Sequence, residues 1–156
     1  MPLLHKEVRV VLAQPEIPQN VGNIARTCAA TGSALTLARP LGFTMSDRKL
    51  KRAGLDYWEG VEIEITDDLD TYLEERGNFF CFSTKAKRLY TEVDYSEDAL
   101  LVFGSETKGL PEEYFAKWEE RFVTIPMRPS CRSLNLANSV AIALYEVLRQ
   151  HHFNHL

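Results

Sequence analysis

Short apolar runs alternate along the chain with segments whose apolar residues recur at helical spacing. Runs of the first kind predict strands, and recurrence every three or four residues predicts helices. The predicted strands are residues 7–13, 34–38, 61–65, 79–83, 99–103 and 122–125. The predicted helices are residues 20–31, 47–52, 68–76, 112–118 and 135–150. This alternation predicts an α/β fold with a mainly parallel sheet flanked by helices.

Two of the predicted strands lie in continuously apolar sequence, NFFCF at 78–82 and ALLVF at 99–103. Continuous apolar strands are typical of a parallel sheet that is covered by helices on both faces. In open sheets of this type, ligands bind beyond the carboxyl ends of the strands. Three loops that follow strands carry polar groups, and they are therefore the candidates for a binding site.

Composition places the chain among globular proteins. It has 156 residues, 45% of them apolar, and no linker or repeat divides it, so we expect a single domain over residues 1–156. No apolar run could span a membrane, and the N-terminal residues carry charges without a signal-peptide cleavage site. The three cysteines, Cys28, Cys81 and Cys131, contain no CxxC pair, which argues against a zinc knuckle or a disulfide framework. A reduced, cytoplasmic protein is expected.

The net charge of −4 argues against indiscriminate nucleic-acid binding but is compatible with local basic patches. The candidate patches are Arg48, Lys49, Lys51 and Arg52; Lys85, Lys87 and Arg88; and Arg128 with Arg132. Each is also compatible with an ordinary solvated surface. His151 and His155 have the spacing of a zinc-binding pair, but no acidic third ligand is near them in sequence. A frayed C-terminus is therefore predicted there.

The first candidate loop, AQPEIPQNVGNIARTCAATGS, follows the first strand. Asn20 is predicted to cap the next helix, and Gly32 to end it. Asn23 and Arg26 share a helical face one turn further on, so with Asn20 they form a row that could hold a phosphate or a hydroxyl group. Gly22 in the first turn permits close approach of another backbone or a ligand. A merely polar helix face gives the same pattern.

The second candidate loop, GSETKGLP, follows the apolar strand LLVF. Gly104 and Gly109 have the spacing of a phosphate-binding loop, but Leu110 and Pro111 occupy the positions of its lysine and its serine or threonine. No GxGxxG sequence follows any strand. An ATPase and a dinucleotide-dependent oxidoreductase are therefore not expected, and the loop presents backbone groups together with one carboxylate, Glu106.

The third candidate loop leads into the last helix and reads IPMRPSCRSLNLANSVAIALYEV. Pro126 and Pro129 prevent regular structure at its start. Four polar side chains gather where the helix begins, Arg132, Ser133, Asn135 and Asn138. An apolar stripe follows at helical spacing, Leu136, Val140, Leu144 and Val147. This concentration of polar groups at a helix N-terminus indicates a binding site, and an ordinary cap by Ser133 or Asn135 is the alternative.

Together, NVGNIAR, LVFGSETKGLP and IPMRPSCRSLNLANSVAIALYE resemble the three motifs of the SpoU branch of the SPOUT RNA 2′-O-methyltransferases. The resemblance covers essentially the whole chain. Within that branch, the short length, PEIPQNVGNIAR and RKLKRAGLDYWE are similar to the YibK-like group. The resemblance implies methylation of the wobble ribose, at cytidine 34 or a modified uridine 34, in the anticodon stem-loop of tRNA, with leucine isoacceptors as substrates.

The resemblance also implies a structure and a cofactor. The expected fold is the SPOUT fold, with a deep C-terminal trefoil knot built from the second and third loops. S-adenosylmethionine would bind there without a metal and leave as S-adenosylhomocysteine. The working form would be a homodimer in which motif one of the partner subunit completes the site. We expect tRNA binding to be salt-sensitive and to need both subunits.

The family's functional positions transfer residue by residue. Those for the cofactor correspond to Phe82, Gly104, Gly109, Ile125, Met127, Ser133 and Leu134. Those for catalysis correspond to Arg26, Asn20, Glu106, Ser133 and Asn135. A guanidinium is essentially always protonated, so we assign Arg26 to binding the phosphate or ribose and stabilising the developing alkoxide rather than to removing the proton. The other polar residues would orient it.

Two other functions remain compatible with the sequence. A SpoU-type enzyme for another tRNA or rRNA ribose would share the motifs, although members with other targets usually carry additional terminal RNA-binding segments. A non-catalytic nucleotide-binding or RNA-binding α/β module would share the fold, but it would not require the complete set of polar motif residues.

Overall fold

The computed structural model describes residues 7–44, 60–154 and 156. Six parallel strands form one sheet in the order β3-β2-β1-β5-β4-β6. The strands are β1 Arg9–Ala13, β2 Ala34–Ala38, β3 Ile63–Thr66, β4 Phe79–Phe82, β5 Leu100–Phe103 and β6 Phe122–Val123. The predicted α/β fold with a mainly parallel sheet is confirmed.

Four α-helices accompany the sheet in the described residues. They are α1 Pro18–Thr31, α2 Leu69–Arg76, α3 Glu112–Lys117 and α4 Leu136–Gln150, with a short 3-10 turn at Glu119–Arg121. The predicted helix 47–52 and its basic cluster, Arg48 to Arg52, lie outside the described residues, as does His155. No helix in the described part of the chain is both long and apolar enough to cross a membrane.

Buried side chains cover both faces of the sheet. Every residue of β1 and β5 is buried, as the apolar strand sequences predicted for β5. On one face, Val10 and Leu12 belong to a core that includes buried residues of α1 and α4; on the other, Val11 belongs to a core that includes Leu73 and Tyr114. The predicted stripe of α4 is confirmed, because its Val140, Leu144 and Val147 are fully buried and Leu136 packs against them.

Three local expectations were wrong. Helix α1 begins at Pro18 with Ile17 as its cap, so Asn20 lies inside the first turn and does not cap it. Strand β6 ends at Val123, since Thr124 bonds instead to the chain before β5, accepting from Tyr90 and donating to Arg88. The C-terminal end of α4 is anchored and not frayed, because Nε2 of His151 lies 2.8 Å from the carbonyl oxygen of Tyr95.

The three cysteines are all free. Cys28 and Cys81 are buried, and burial raises the pKa of each thiol to about 12. Both therefore stay protonated and inert at neutral pH. Cys131 is exposed in the third loop.

Candidate active site

One cleft of about 570 Å³ opens beyond the carboxyl ends of β4, β5 and β6. That volume is typical of a pocket for a small organic ligand. All seven residues predicted to contact a cofactor line this cleft: Phe82, Gly104, Gly109, Ile125, Met127, Ser133 and Leu134. The fold thus gathers in one place positions that span more than fifty residues of sequence, from strand β4 to the start of α4.

Aromatic and aliphatic side chains form the inner wall of the cleft. The rings of Phe82 and Phe103 stack with their centroids 4.7 Å apart and an interplanar angle of 16°. Phe115, Leu110 and Leu136 also line the cleft. An apolar wall of this kind favours a flat organic ring, and the surrounding loops supply backbone polar groups for its edges.

The second loop is a tight turn that requires glycine at two positions, Gly104 for space and Gly109 for its backbone conformation. Ser105 and Gly109 donate their backbone N–H groups to each other's carbonyl oxygens, at 3.2 and 3.0 Å. A Cβ on Gly104 would lie 2.1 Å from the carbonyl carbon of Gly109. Gly109 itself has φ of 70°, a left-handed conformation that L side chains rarely adopt. The turn therefore presents backbone to the cleft.

The third loop enters helix α4 through Asn135. The side-chain oxygen of Asn135 accepts from the backbone N–H of Asn138 at 3.2 Å, so Asn135 is the cap and Ser133 is not. Ser133 and Leu134 are exposed and line the cleft just before the helix. The structure therefore assigns the cap to Asn135, one of the two candidates, and it leaves the Ser133 hydroxyl at the rim of the cleft.

A chain of polar side chains connects the three loops. Asn135 donates from Nδ2 to Oδ1 of Asn20 at 3.2 Å. Asn20, buried with 6% of its surface exposed, donates from Nδ2 to Oε2 of Glu106 at 3.1 Å. Glu106 also accepts from the backbone N–H groups of Glu16 and Ile17, each at 2.8 Å. Glu106 thus holds the start of α1 against the glycine turn, and it aligns Asn20 with Asn135.

Arg26 does not reach this cleft within its own chain. It lies on α1 with an exposed side chain, as does Asn23, and neither residue lines the cleft. Asn20, Asn23 and Arg26 do not form one binding surface within this chain, because the Asn20 amide is engaged by Glu106 and Asn135. The alternative of a polar helix face fits Asn23 and Arg26, which are exposed. Four of the five predicted catalytic residues meet at the cleft, and the fifth lies apart.

Sequence inspection missed Glu16 and Thr107. Glu16 Oε1 accepts from the Thr107 hydroxyl at 2.6 Å and from the Thr107 backbone N–H at 3.1 Å. These bonds, the hydroxyl first, lower the pKa of Glu16 below its usual range. The one signal in the sequence is position, since Glu16 stands between Pro15 and Pro18 in a stiffened loop.

Comparison with known proteins places this arrangement in a family. Residues 7–145 match the SpoU rRNA Methylase family. A tRNA (cytidine(34)-2′-O)-methyltransferase of Methylovorus glucosotrophus is 45% identical over 147 residues, which cover 92% of this chain and 96% of that protein. A Geobacillus stearothermophilus protein that carries this name provisionally is 51% identical over 154 residues, covering 96% of this chain and 98% of its own.

Solved structures give the same result. A structure described as giving insight into 2′-OH methylation of C/U34 on tRNA has a TM-score of 0.88 and 47% identity, and the match covers 94% of this chain and 97% of that one. The SpoU methyltransferase AviRb of Streptomyces viridochromogenes, solved with AdoMet, has a TM-score of 0.83 and 25% identity, covering 97% of this chain and 60% of that one. The chain therefore belongs to the SpoU methylase family, which its three cleft-forming loops had indicated.

Proposed function

We propose that this protein is an S-adenosylmethionine-dependent tRNA 2′-O-methyltransferase that acts on the wobble ribose, at cytidine 34 or a modified uridine 34. One observation carries the proposal: three loops distant in sequence converge on a single cleft and connect Glu106, Asn20 and Asn135. The relatives named for the same tRNA position support the choice of substrate, since they match over nearly their whole length. We also propose that the substrates are leucine isoacceptor tRNAs, that the enzyme binds their anticodon stem-loop, and that it works in the cytoplasm.

The cleft fits the cofactor in size and chemistry. Its volume of about 570 Å³ accommodates a nucleoside with an amino-acid tail. The stacked pair Phe82 and Phe103 gives adenine an apolar wall, and the glycine turn brings backbone groups close without side chains in the way. AviRb and an rRNA methyltransferase of Sinorhizobium meliloti, both solved with AdoMet, have related folds with TM-scores of 0.83 and 0.82.

When bound, the cofactor supplies an electrophilic methyl group that is attached to a sulfonium. The methyl group passes to the ribose 2′-oxygen as the carbon–sulfur bond breaks. The protein must hold the 2′-hydroxyl in line with that bond while the hydroxyl proton passes to a base. Such positioning provides much of the rate acceleration. In this chain, Asn20 and Asn135 are fixed beside the cleft by Glu106. Ser133, exposed at the rim, is placed to hydrogen-bond the ribose.

We infer that the working enzyme is a homodimer in which Arg26 of one subunit serves the cleft of its partner. The exposed position of Arg26 outside its own cleft supports this arrangement. The outward face of α4 supports it too, because Ile142 and Tyr145 expose 39% and 45% of their surface there. Helix α4 packs against α1, the helix that carries Arg26, so an interface on α4 would bring Arg26 near a second copy.

We also propose the deep trefoil knot of the SPOUT fold. After β6 at the edge of the sheet, the chain returns to pack α4 against α1 and β5. It must therefore cross the ends of β4 and β5, where the second loop lies. The knot forms if the last helix passes through that loop region and not over it.

Mass spectrometry of tRNA nucleosides from cells lacking the gene tests the proposed function. We expect loss of 2′-O-methylation only at nucleotide 34, with restoration by the wild-type gene. Loss at another tRNA or rRNA ribose would refute the wobble assignment and retain the enzyme class. Unchanged RNA methylation, together with no binding of S-adenosylhomocysteine by the purified protein, would instead indicate a non-catalytic module.

A further inference from the structure

The loop before α1 and the loop after β5 bind each other through two carboxylates, one from each loop, and each accepts hydrogen bonds from the other loop. Glu106 accepts from the backbone N–H groups of Glu16 and Ile17. Glu16 in turn accepts from the backbone N–H and the hydroxyl of Thr107. Two neighbouring residues of one loop are thus bound to two neighbouring residues of the other, although Glu16 and Thr107 are 91 positions apart.

The backbone at Glu16 is held on its other side as well. The carbonyl oxygen of Pro15 accepts from the backbone N–H of Gly42 at 2.9 Å. A Cβ on Gly42 would lie 2.8 Å from Cα of Glu16, so the chain after β2 packs directly against this loop. The Glu16 carboxylate is charged at neutral pH, as an ordinary glutamate is, and the hydrogen bonds from Thr107 lower its pKa further. A fixed backbone and a charged acceptor make Glu16 a rigid support for Thr107.

Thr107 belongs to the wall of the cleft, whereas Glu16 does not line it. Thr107 follows Glu106 directly in the turn closed by Ser105 and Gly109. A shift of Thr107 would therefore change the direction of the Glu106 carboxylate, and with it the position of Asn20. Glu16 thus acts on the polar chain of the cleft from outside, through the backbone of the glycine turn.

We propose that Glu16 is a positioning residue for the methyl transfer, acting through Thr107 to fix Glu106 and Asn20 relative to the cofactor. The proposal rests on the proposed function and adds to it a residue that touches neither substrate nor cofactor. Removing the Glu16 carboxylate leaves the apolar wall of the cleft intact, so cofactor binding persists. The alignment of the reacting groups is lost. Misplacement by about 1 Å costs rate on the order of 100-fold in enzymes that work by positioning.

The test is single-turnover methylation of a tRNA transcript by wild-type protein, Glu16→Ala, Glu16→Gln, Thr107→Val and Thr107→Ser. We expect Glu16→Ala to lower the rate at least about tenfold and to change the affinity for S-adenosylhomocysteine less than about threefold. Glu16→Gln and Thr107→Ser keep the hydrogen-bonding atoms and should retain most of the activity. Because the two residues act as one unit, Thr107→Val should add little to Glu16→Ala in the double variant.

Glu97→Ala, at an exposed glutamate that does not line the cleft, is the matched control. A Glu16→Ala rate within twofold of wild type, or independent effects of Glu16→Ala and Thr107→Val, would overturn the inference. Hydrogen exchange at the Thr107 amide gives a readout without activity, and its protection should fall in Glu16→Ala. Wild-type protein that methylates no tRNA would refute the proposed function, whereas active wild type with an insensitive Glu16 would refute the inference alone.

Discussion

Arg26 is the one predicted catalytic side chain that the fold keeps away from its own cleft. We expect Arg26→Ala to abolish methylation while leaving the affinity for S-adenosylhomocysteine within about threefold, because a guanidinium that serves a partner's ribose makes no contact with the cofactor. Calorimetry and a methylation assay on the same preparations measure both effects.

Arg39→Ala is a suitable control for this experiment, since Arg39 is an exposed arginine paired with Asp67. Its activity should match wild type. If cofactor affinity collapsed in Arg26→Ala, Arg26 would belong to the pocket or to the fold. If mixing Arg26→Ala with a cleft-inactivated subunit restored no activity, Arg26 would not act across subunits.

Gly104 is limited by steric contact and not by φ. Ala at this position places Cβ 2.1 Å from the carbonyl carbon of Gly109 and 2.2 Å from the backbone nitrogen of Leu110. Neither atom can move without opening the turn, and overpacking of this kind costs about 1–3 kcal/mol of unfolding free energy. We expect Gly104→Ala to lower the melting temperature and to weaken binding of S-adenosylhomocysteine at least about tenfold. A tenfold change in affinity corresponds to about 1.4 kcal/mol of binding free energy. Calorimetry would measure both.

Gly60→Ala is the matched control for Gly104→Ala, because no atom of the described residues lies within 4 Å of a Cβ at Gly60. Its melting temperature and affinity should remain close to wild type. Equal melting temperatures and affinities in the two variants would show that the turn can adapt to a side chain at Gly104. The close approach of Gly104 to Gly109 would then have no role in binding.

At the level of single residues, the sequence predicted which positions line the cleft better than it predicted what they bond to. For Gly104 and Gly109, the spacing after a strand predicted a tight turn, and the family resemblance implied their place in the cleft. Spacing alone did not predict the role of Asn20, which looked like a helix cap and instead donates to Glu106. Partners about ninety positions apart, such as Glu16 and Thr107, leave no local pattern, so only the folded chain reveals them.

Helix α4 begins at a residue with two functions that a substitution can separate. Asn135 caps the helix through Oδ1 and donates through Nδ2 to Asn20. Asn135→Asp keeps the cap oxygen and loses the donor, so we expect stability near that of wild type with lower activity. Asn135→Ala loses both, and we expect a further loss of about 1 kcal/mol of unfolding free energy, typical of a removed cap.

Urea unfolding and a methylation assay on both variants decide this. Loss of stability in Asn135→Asp as large as in Asn135→Ala would mean that the bond to Asn20, and not the cap, holds the start of α4. Full activity of Asn135→Asp would mean that the donor from Asn135 to Asn20 is dispensable.

Elements with a strong apolar pattern were predicted well, and their ends were predicted less well. Strand β2 has the predicted bounds, and α4 differs only in that Asn135 is its cap. Strand β6 is shorter than the apolar run suggested, because β4 provides pairing partners only for Phe122 and Val123. The length of an edge strand depends on its neighbour, which a run of apolar residues does not encode.

Acid should destabilise the whole molecule through carboxylates that accept hydrogen bonds. Three carboxylates in the described residues have a pKa that hydrogen bonds lower. The donors are Thr107 for Glu16, Thr71 for Asp68 and Arg149 for Glu146. A lowered pKa in the folded state contributes stability that is present above the ordinary value and lost as pH falls through the folded value. We expect the free energy of unfolding to decrease as pH drops below about 4.5, the ordinary range of these groups.

Urea unfolding at a series of pH values between neutrality and pH 3 measures this dependence. The double variant Glu16→Gln, Asp68→Asn should show a shallower decrease than wild type, because it lacks two of the titrating groups. A double variant with the slope of wild type would assign acid sensitivity to other carboxylates.

For the molecule as a whole, the sequence predicted the α/β class but not the order of the strands. Alternating strands and helices indicate a parallel sheet, yet many strand orders satisfy that alternation. Here the first strand lies between β2 and β5, and β5 lies between β1 and β4. The rule for parallel sheets selected three candidate loops, and their resemblance to a known family gave the expectation that they form one cofactor site.

This strand order has a consequence for synthesis on the ribosome. When the chain has emerged through β4, that strand has no place beside β1, because β5 separates the two in the finished sheet. Three strands can assemble early as β3, β2 and β1, while β4 must wait for β5 to be made. The polar chain of the cleft needs Asn135, which follows both. A nascent chain therefore acquires its binding site only after Asn135 has emerged, so synthesis that stops after β4 leaves a fragment with a partial sheet and no cleft.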